Sequence, residues 1–209
     1  MIKLHPSSLG KIMSVSKSKK PEDLSVGAKT YCKQLAKEFV YGFRTEVSSK
    51  YMDKGTIVED QSIELYNDVF FTNHNKNTER KQNQWLTGEC DILARDRIID
   101  IKSAWSLATF PAFKEDVHSS DYEWQGRAYM MLWDVDLFEL AYCLVSTPSD
   151  LIGWESENLH FVDHIPKELR VTRVQYKRCQ DREELIKIKA TAAQSFINDC
   201  IEAIAVDHS

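Results

Sequence analysis

The sequence has few of the residues that build flexible linkers or cross-linked scaffolds. Seven glycines and five prolines among 209 residues leave no room for a low-complexity region. The five cysteines contain no C-x-x-C pair, which argues against a zinc ribbon, an iron–sulfur cluster and a disulfide framework. We therefore expect reduced, buried thiols and a cytoplasmic protein.

Long apolar runs and several common motifs are also missing. No apolar run approaches the roughly 18 residues of a membrane helix, and the opening MIKLHPSSLGKIM lacks the apolar segment of a secretory signal. The patterns G-x-G-x-x-G, G-x-S-x-G and H-E-x-x-H are absent, and Gly10-Lys11 lacks the upstream glycine of a P-loop. These absences predict no membrane association and exclude several common classes of enzyme.

Charge is unevenly distributed along the chain. Residues 1–54 hold 11 Lys/Arg and 5 Asp/Glu, a net charge of +6, whereas residues 55–209 hold 16 and 27, a net charge of −11. A basic front and an acidic body suit a protein that attracts a polyanion at one face and holds metal at another. The alternative is a solvated basic surface without a ligand.

The order of predicted elements indicates the fold class. Apolar periodicity and capping signals predict helices at 9–15, about 25–43, about 52–68, about 120–133 and from 181 onward. Alternating patterns predict strands at 82–87, 89–94, 97–103, 138–146 and 170–179. This order predicts an α/β (α+β) fold with a mixed central sheet flanked by helices. We expect a single domain over residues 1–209, with residues 1–54 as a basic helical N-terminal segment.

The stretch GECDILARDRIIDIKSAW, residues 88–105, places three charges inside a predicted hairpin. A turn centred on Arg95-Asp96, of two or four residues, pairs Asp91 with Asp100, with their Cβ atoms about 4.5–5.5 Å apart. Because side chains alternate along a strand, Lys102 shares the face of Asp100.

Two facing carboxylates repel one another unless a cation lies between them, and Mg²⁺ binds through one or two carboxylates together with substrate phosphate. The sequence therefore predicts a metal site aimed at an anionic substrate. The alternative is an exposed hairpin in which Lys102 pairs with one of the aspartates.

Two further acidic or polar positions flank this hairpin in the sequence. Glu59, on the helix before the sheet, is a candidate third metal ligand, although it could also be a solvated helix charge. Gln125 and Tyr129 lie four residues apart on one helical face. They could hold a nucleotide or metal-bound waters, or the tyrosine could simply pack in the core.

Four elements in this order resemble the PD-(D/E)XK nuclease superfamily. They are Gly55…Glu59, Gly88-x-x-Asp91, Asp100-Ile101-Lys102 and Gln125-x-x-x-Tyr129. The last element is similar to the RecB-like and phage lambda exonuclease-like (YqaJ-type viral recombinase) branch. The opening HPSSLGKIM also resembles the serine-containing helix start of the phage exonucleases, and Asp100 stands where many members have Glu.

This resemblance implies a restriction-endonuclease-like core and a set of residue roles. Mg²⁺ or Mn²⁺ would be bound by Asp91, Asp100 and the backbone carbonyl of Ile101, with Glu59 completing the shell. Lys102 would position the attacking water, so that catalysis would rest on Glu59, Asp91, Asp100, Lys102 and Gln125.

The resemblance also implies a substrate and partners. We expect a Mg²⁺-dependent exonuclease that resects linear duplex DNA from 5′ ends during phage-type recombination. It would act in the host cytoplasm, with a single-strand annealing protein, as a homo-oligomer such as a trimeric ring. The expected substrate-binding residues are Ser7, Ser8 and Lys11, near a 5′ phosphate, together with Gln125 and Tyr129.

Two other functions are compatible with the same residues. One is a structure-specific or site-specific endonuclease on the same fold, since a fold does not fix its substrate. The other is a non-catalytic nucleic-acid-binding module. The facing acids argue against a binding module, because binding alone gives no use for them.

Overall fold

The computed structural model describes residues 2–45, 48–117 and 119–208. The α-helices in this part of the chain are α1 (Leu9–Met13), α2 (Val26–Tyr41), α3 (Lys50–Ile57), α4 (Glu59–Phe70), α5 (Ser120–Trp133), α6 (Ser149–Ile152) and α7 (Gln180–Asp207). The strands are β1 (Lys81–Gln82), β2 (Thr87–Gly88), β3 (Ile92–Leu93), β4 (Arg97–Ser103), β5 (Leu137–Cys143) and β6 (Val171–Lys177). Short 3₁₀ helices cover Pro6–Ser8, Lys114–Val117, Glu157–Leu159 and Lys167–Leu169. None of the described helices has both the length and the apolar character needed to cross a bilayer.

A mixed four-stranded sheet forms the centre of the molecule. Its strand order is β3-β4-β5-β6, in which β4 and β5 run parallel and the two outer pairs are antiparallel. Strands β1 and β2 form a separate antiparallel pair. Helices cover both faces of the central sheet, so the predicted α/β fold with a mixed central sheet is confirmed.

Alternation along β4 divides the interior into two apolar clusters. Ile98 belongs to the larger cluster, which it shares with residues of α1, α2, α5 and α7. Ile99 and Ile101 point to the other face and pack with residues of α4, including Tyr66. Asp100 shares the face of Ile98 because side chains two residues apart lie on the same side of a strand. A charged side chain is thereby placed beneath α5.

Gly126 allows α5 to approach the sheet closely. A Cβ atom at this position would lie 2.1 Å from Cδ1 of Phe138 on β5, closer than two carbon atoms can approach. The glycine therefore permits a short separation between helix and sheet. The neighbouring residue, Gln125, is buried and is brought within reach of β4 by this packing.

Lys54 joins α3 to the ends of the two central strands. Its side chain is fully buried, and its ammonium donates hydrogen bonds to the carbonyls of Ala104, Trp105 and Val145, at 2.6, 3.1 and 2.8 Å. Ala104 follows β4, and Val145 lies two residues beyond β5. Burial lowers the pKa of Lys54 to about 8. This lysine fixes α3 against the carboxyl end of the parallel strand pair.

Three predicted elements differ from the structure. The strand predicted at 89–94 is reduced to β3, Ile92–Leu93. The helix predicted at about 52–68 is divided into α3 and α4 at Val58, whose ψ of 14° and buried side chain interrupt the regular helix. The strand predicted at 82–87 is a hairpin of β1 and β2 instead. The Asn83 side-chain oxygen accepts hydrogen bonds from the N–H groups of Trp85 and Leu86, and this Asx turn reverses the chain.

Candidate active site

The hairpin of β3 and β4 has the register that the sequence predicts. Ile92 pairs with Ile99 and Leu93 with Ile98, and the Ala94 N–H donates to the Arg97 carbonyl across a two-residue turn. Continuing this register brings Asp91 opposite Asp100. Asp91 lies just outside the ladder, where its Oδ2 accepts a hydrogen bond from the Ile101 N–H at 2.8 Å.

Asp100 is the buried centre of the site. Its side chain has no solvent exposure, and its Oδ1 accepts a hydrogen bond from Gln125 Nε2 at 2.8 Å. Its Oδ2 lies 2.6 Å from Lys102 Nζ, yet in the described part of the chain this oxygen receives no hydrogen bond of good geometry. We regard the contact with Lys102 as an ion pair that leaves lone pairs of the carboxylate free.

Gln125 and Tyr129 support the hairpin from α5. The Tyr129 hydroxyl donates to the Glu89 carbonyl at 2.8 Å and is also hydrogen bonded with Gln125. Both side chains are only 5% exposed, and neither lines the cleft described below. The structure thus shows them holding Asp100 and the segment before Asp91, while their predicted contact with substrate stays a prediction.

A cleft of about 440 Å³ opens beside Asp91, while Asp100 is buried and does not line it. Gly55, Glu59, Asp91, Ile101 and Lys102 line it together with Tyr51, Met52, Thr56, Ser103, Tyr122 and Tyr142. Glu59 lines the same cleft as Asp91, but its carboxylate is paired with Lys76. A larger cavity of about 770 Å³, at the start of α7, contains none of the predicted site residues.

Burial and mutual repulsion control the charges in the cleft. Burial raises the pKa of Asp91 to about 7, and the nearby Asp100 carboxylate adds to this effect, whereas Lys102 and the Ile101 N–H oppose it. Burial lowers the pKa of Lys102, but Asp100 and Asp91 outweigh burial, so the net shift of this pKa is upward. Lys102 is therefore held as a cation, and Asp91 keeps its proton to a higher pH than an exposed aspartate would.

The donor set suits a small, hard cation. Mg²⁺ and Mn²⁺ favour oxygen ligands, and Mg²⁺ commonly binds through one or two carboxylates while retaining waters. The free lone pairs on the buried Oδ2 of Asp100, beside Asp91, fit this requirement. No three His, Cys, Asp or Glu side chains within residues 2–45, 48–117 and 119–208 converge closely enough to enclose a metal. Glu59 would have to leave Lys76 to join the two aspartates.

Comparison with known proteins identifies the family. No protein-family model matches the sequence, and no curated protein matches it. A solved phage-related exonuclease from Haemophilus somnus 129PT has 32% sequence identity and a TM-score of 0.91, covering 97% of this chain and 96% of that chain. The chain belongs to the phage lambda exonuclease-like branch of the PD-(D/E)XK nucleases.

A second solved structure has the same fold as this chain. An alkaline exonuclease from Laribacter hongkongensis has 14% identity and a TM-score of 0.73, and covers 99% of this chain and 93% of that chain. The same enzyme in complex with dAMP has a TM-score of 0.72. At this identity, the likeness demonstrates a common fold.

The residues predicted to bind a 5′ phosphate lie outside the cleft. Ser7 and Ser8 are in the 3₁₀ helix before α1, and the ammonium of Lys11 lies 4.7 Å from the ring centre of Tyr31. Ser8 is hydrogen bonded to the Tyr31 hydroxyl. None of the three lines the cleft, so their role at a 5′ phosphate stays a prediction.

Two tyrosines beside Lys102 were not predicted, and neither was Tyr51, which also lines the cleft. Tyr122 places its ring centre 4.9 Å from Lys102 Nζ, and Tyr142 lies beside Lys102 in the register of β4 and β5. Tyr122 could have been found from its spacing, three residues before Gln125 on the same helix. Tyr142 could not, because the parallel pairing of two strands whose partners are 40 residues apart leaves no signal in one sequence.

Asp91→Asn should stabilise the metal-free protein in a pH-dependent manner. The pKa of Asp91 is raised from 3.8 to about 7. The folded state therefore binds more protons than the unfolded state between these values, and Asp91 lowers the stability as the pH rises through this window. In EDTA, the variant should exceed the wild type by about 1–3 kcal/mol at pH 8 and match it near pH 4. Thermal melts over this pH range measure the difference.

Asp96→Asn is the matched control for this experiment. Asp96 lies at the tip of the same hairpin, where its hydrogen bonds with Arg97 lower its pKa, so its replacement should bring no gain at pH 8. An Asp91→Asn protein that is less stable than the wild type at every pH would show that Asp91 serves the fold.

Proposed function

We propose that this protein is a Mg²⁺-dependent exonuclease that hydrolyses phosphodiester bonds of duplex DNA ends. The observation that carries the proposal is the buried Asp100, whose Oδ2 receives no hydrogen bond of good geometry from the described residues and pairs with Lys102, a residue that lines one cleft together with Asp91. The likeness to a phage-related exonuclease at 32% identity supports the same activity. Facing acids under a cleft suit hydrolysis better than simple DNA binding.

The metal would be held by residues in and directly beneath the cleft. Asp91 and Asp100 are the proposed carboxylate ligands, with the Ile101 carbonyl and Glu59 as further candidates. When bound, the metal would withdraw charge from a phosphodiester and activate a water molecule for attack. The side chains around it would then set the position of the ligands and of the substrate.

Lys102 is the proposed catalytic cation. Its raised pKa keeps the ammonium charged, and its place in the lining of the cleft would let it approach the phosphate of a bound substrate. There it would orient the attacking water and neutralise charge that develops on the phosphate. Tyr122, whose ring lies 4.9 Å from Nζ, limits the directions in which the ammonium can move.

Gln125 and Tyr129 have a positioning role in this proposal. Gln125 holds Oδ1 of Asp100, which directs Oδ2 toward the metal. Tyr129 holds the Glu89 carbonyl and so fixes the chain two residues before Asp91. Hydrogen-bonding partners of metal ligands typically affect metal affinity or activity by about 10- to 100-fold.

Lys102→Ala should remove activity more completely than Gln125→Ala. Loss of the cation next to the phosphate should lower kcat by about 100-fold or more, whereas loss of the Asp100 partner should lower activity by about 10-fold. Release of labelled nucleotides from linear duplex measures both rates, with Mg²⁺ and with EDTA. Equal and complete loss in both variants would place Gln125 among the catalytic residues, and wild-type activity that survives EDTA would contradict the metal requirement.

We also propose resection from 5′ ends by a closed homo-oligomer. The basic residues 1–54, with a net charge of +6, could line a channel, while the acidic remainder holds metal. Enclosing the substrate would compensate for the repulsion between a polyanion and a chain of net charge −5. Ser7, Ser8 and Lys11 are the proposed contacts of the 5′ phosphate, and a single-strand annealing protein is the proposed partner.

Light scattering together with end-labelled substrates tests the ring and the polarity. We expect an oligomer that releases label from 5′ ends of linear duplex and leaves covalently closed circles intact. Lys11→Ala should slow digestion of 5′-phosphorylated ends more than that of 5′-hydroxyl ends. A monomer that nicks closed circles as fast as it trims linear ends would favour the endonuclease alternative, while leaving the metal site unaffected.

A further inference from the structure

Helix α3 forms a wall of the cleft that is held firmly from behind. Lys54, fully buried, binds the three carbonyls at the ends of the central strands. The opposite side of α3 faces the cleft through Tyr51, Met52, Gly55 and Thr56. This wall therefore has little freedom to retreat when something enters the cleft.

Gly55 is the position on this wall that has no side chain. It lies inside α3, and its φ is not among the positive values found for Gly42 and Gly153. Apart from its chain neighbours and the backbone of its own helix, a Cβ atom built on Gly55 would meet no atom of the described residues within 4 Å. Glycine weakens a helix because it has the most backbone freedom to lose on folding. Neither backbone geometry nor packing within the chain accounts for a glycine at this position.

Most other glycines have a reason within the protein. A Cβ at Gly10, Gly88 or Gly126 would lie within 3 Å of a neighbouring side chain, and two more glycines have a positive φ. Gly27 is the exception. It lies in the first turn of α2, is exposed, and has only Ser25 Oγ near its added Cβ, at 3.9 Å. Gly27 therefore shares the spatial freedom of Gly55 but lies outside the cleft.

We propose that Gly55 is a substrate-contact position, where the sugar-phosphate backbone of DNA passes directly against α3. The inference rests on the proposed nuclease function and adds a place for the substrate. A phosphate bound between Asp91 and Lys102 would lie in the same cavity of about 440 Å³ that Gly55 lines. This volume is near the lower end of the roughly 300–1,000 Å³ typical of ligand sites. Even one methyl group at Gly55 would displace the DNA backbone, because Lys54 holds this wall of the cleft in place.

The test is a graded series at Gly55 in the full-length protein with Mg²⁺. Gly55→Ala should raise the melting temperature by about 1–3 °C, because alanine favours the helix. The same variant should lower kcat/KM on linear duplex by about 10-fold or more, since small displacements of a reacting group have large kinetic effects. Gly55→Val should be slower still, and both should bind duplex more weakly in fluorescence anisotropy with Ca²⁺.

Gly27→Ala is the matched control. It introduces the same methyl group into an equally open helical position, so it should not lower the melting temperature and should retain wild-type kinetics and duplex affinity. A Gly55→Ala protein with undiminished kcat/KM would overturn the inference, as would one that melts clearly below the wild type, because the glycine would then serve the fold. A wild-type protein without nuclease activity on any DNA would overturn the proposed function as well, which distinguishes the two failures.

Discussion

The repulsion between Asp91 and Asp100 is the constraint on which the rest of the site depends. The two acids face each other at the end of a hairpin, and Asp100 is fully buried. Lys102 compensates one negative charge of the pair, while burial first and then the Asp100 carboxylate raise the pKa of Asp91. An uncompensated buried charge is costly. The folded protein thus carries an electrostatic strain that a divalent cation would relieve.

Another fully buried acid, Glu139, shows how a carboxylate with a structural role is hydrogen bonded in this fold. Glu139, on β5, is also fully buried, but it accepts hydrogen bonds from Tyr66, Arg173 and Gln175. Its charge and lone pairs are satisfied within the chain. Asp100 is one strand away, and its Oδ2 is paired with Lys102 but receives no hydrogen bond of good geometry from the residues that the structure describes. The contrast indicates that the incomplete satisfaction of Asp100 belongs to its function, since perturbed acids in clefts mark functional sites.

Close packing at two positions, Gly126 and Lys54, places the side chains of the site. Gly126 lets α5 descend onto β5, and this brings Gln125 to Asp100. Lys54 fixes α3 on the other side of the cleft by binding main-chain carbonyls. The buried ammonium of Lys54 therefore fixes one wall of the cleft. At the base of the site, the absence of a side chain at Gly126 allows Gln125 to reach Asp100.

The parts of this arrangement that are local in sequence could be predicted. The hairpin register follows from the position of one turn, and the alternation of strand side chains places Lys102 with Asp100. The four-residue spacing of Gln125 and Tyr129 places them on one helical face. The ion pair of Glu59 with Lys76, the burial of Lys54 and the proximity of Tyr142 depend on how distant elements pack. A single sequence carries no periodic signal for such contacts.

Direct metal binding tests the central claim most clearly. Titration of the protein with Mn²⁺, followed by electron paramagnetic resonance, reports binding independently of turnover. The account predicts that wild-type protein and Asp96→Asn bind Mn²⁺ equally, with an affinity that rises as the pH increases through about 7, where Asp91 loses its proton. Asp100→Asn should lose this binding. Wild-type Mn²⁺ affinity in Asp100→Asn would contradict the claim that the facing aspartates form the metal site.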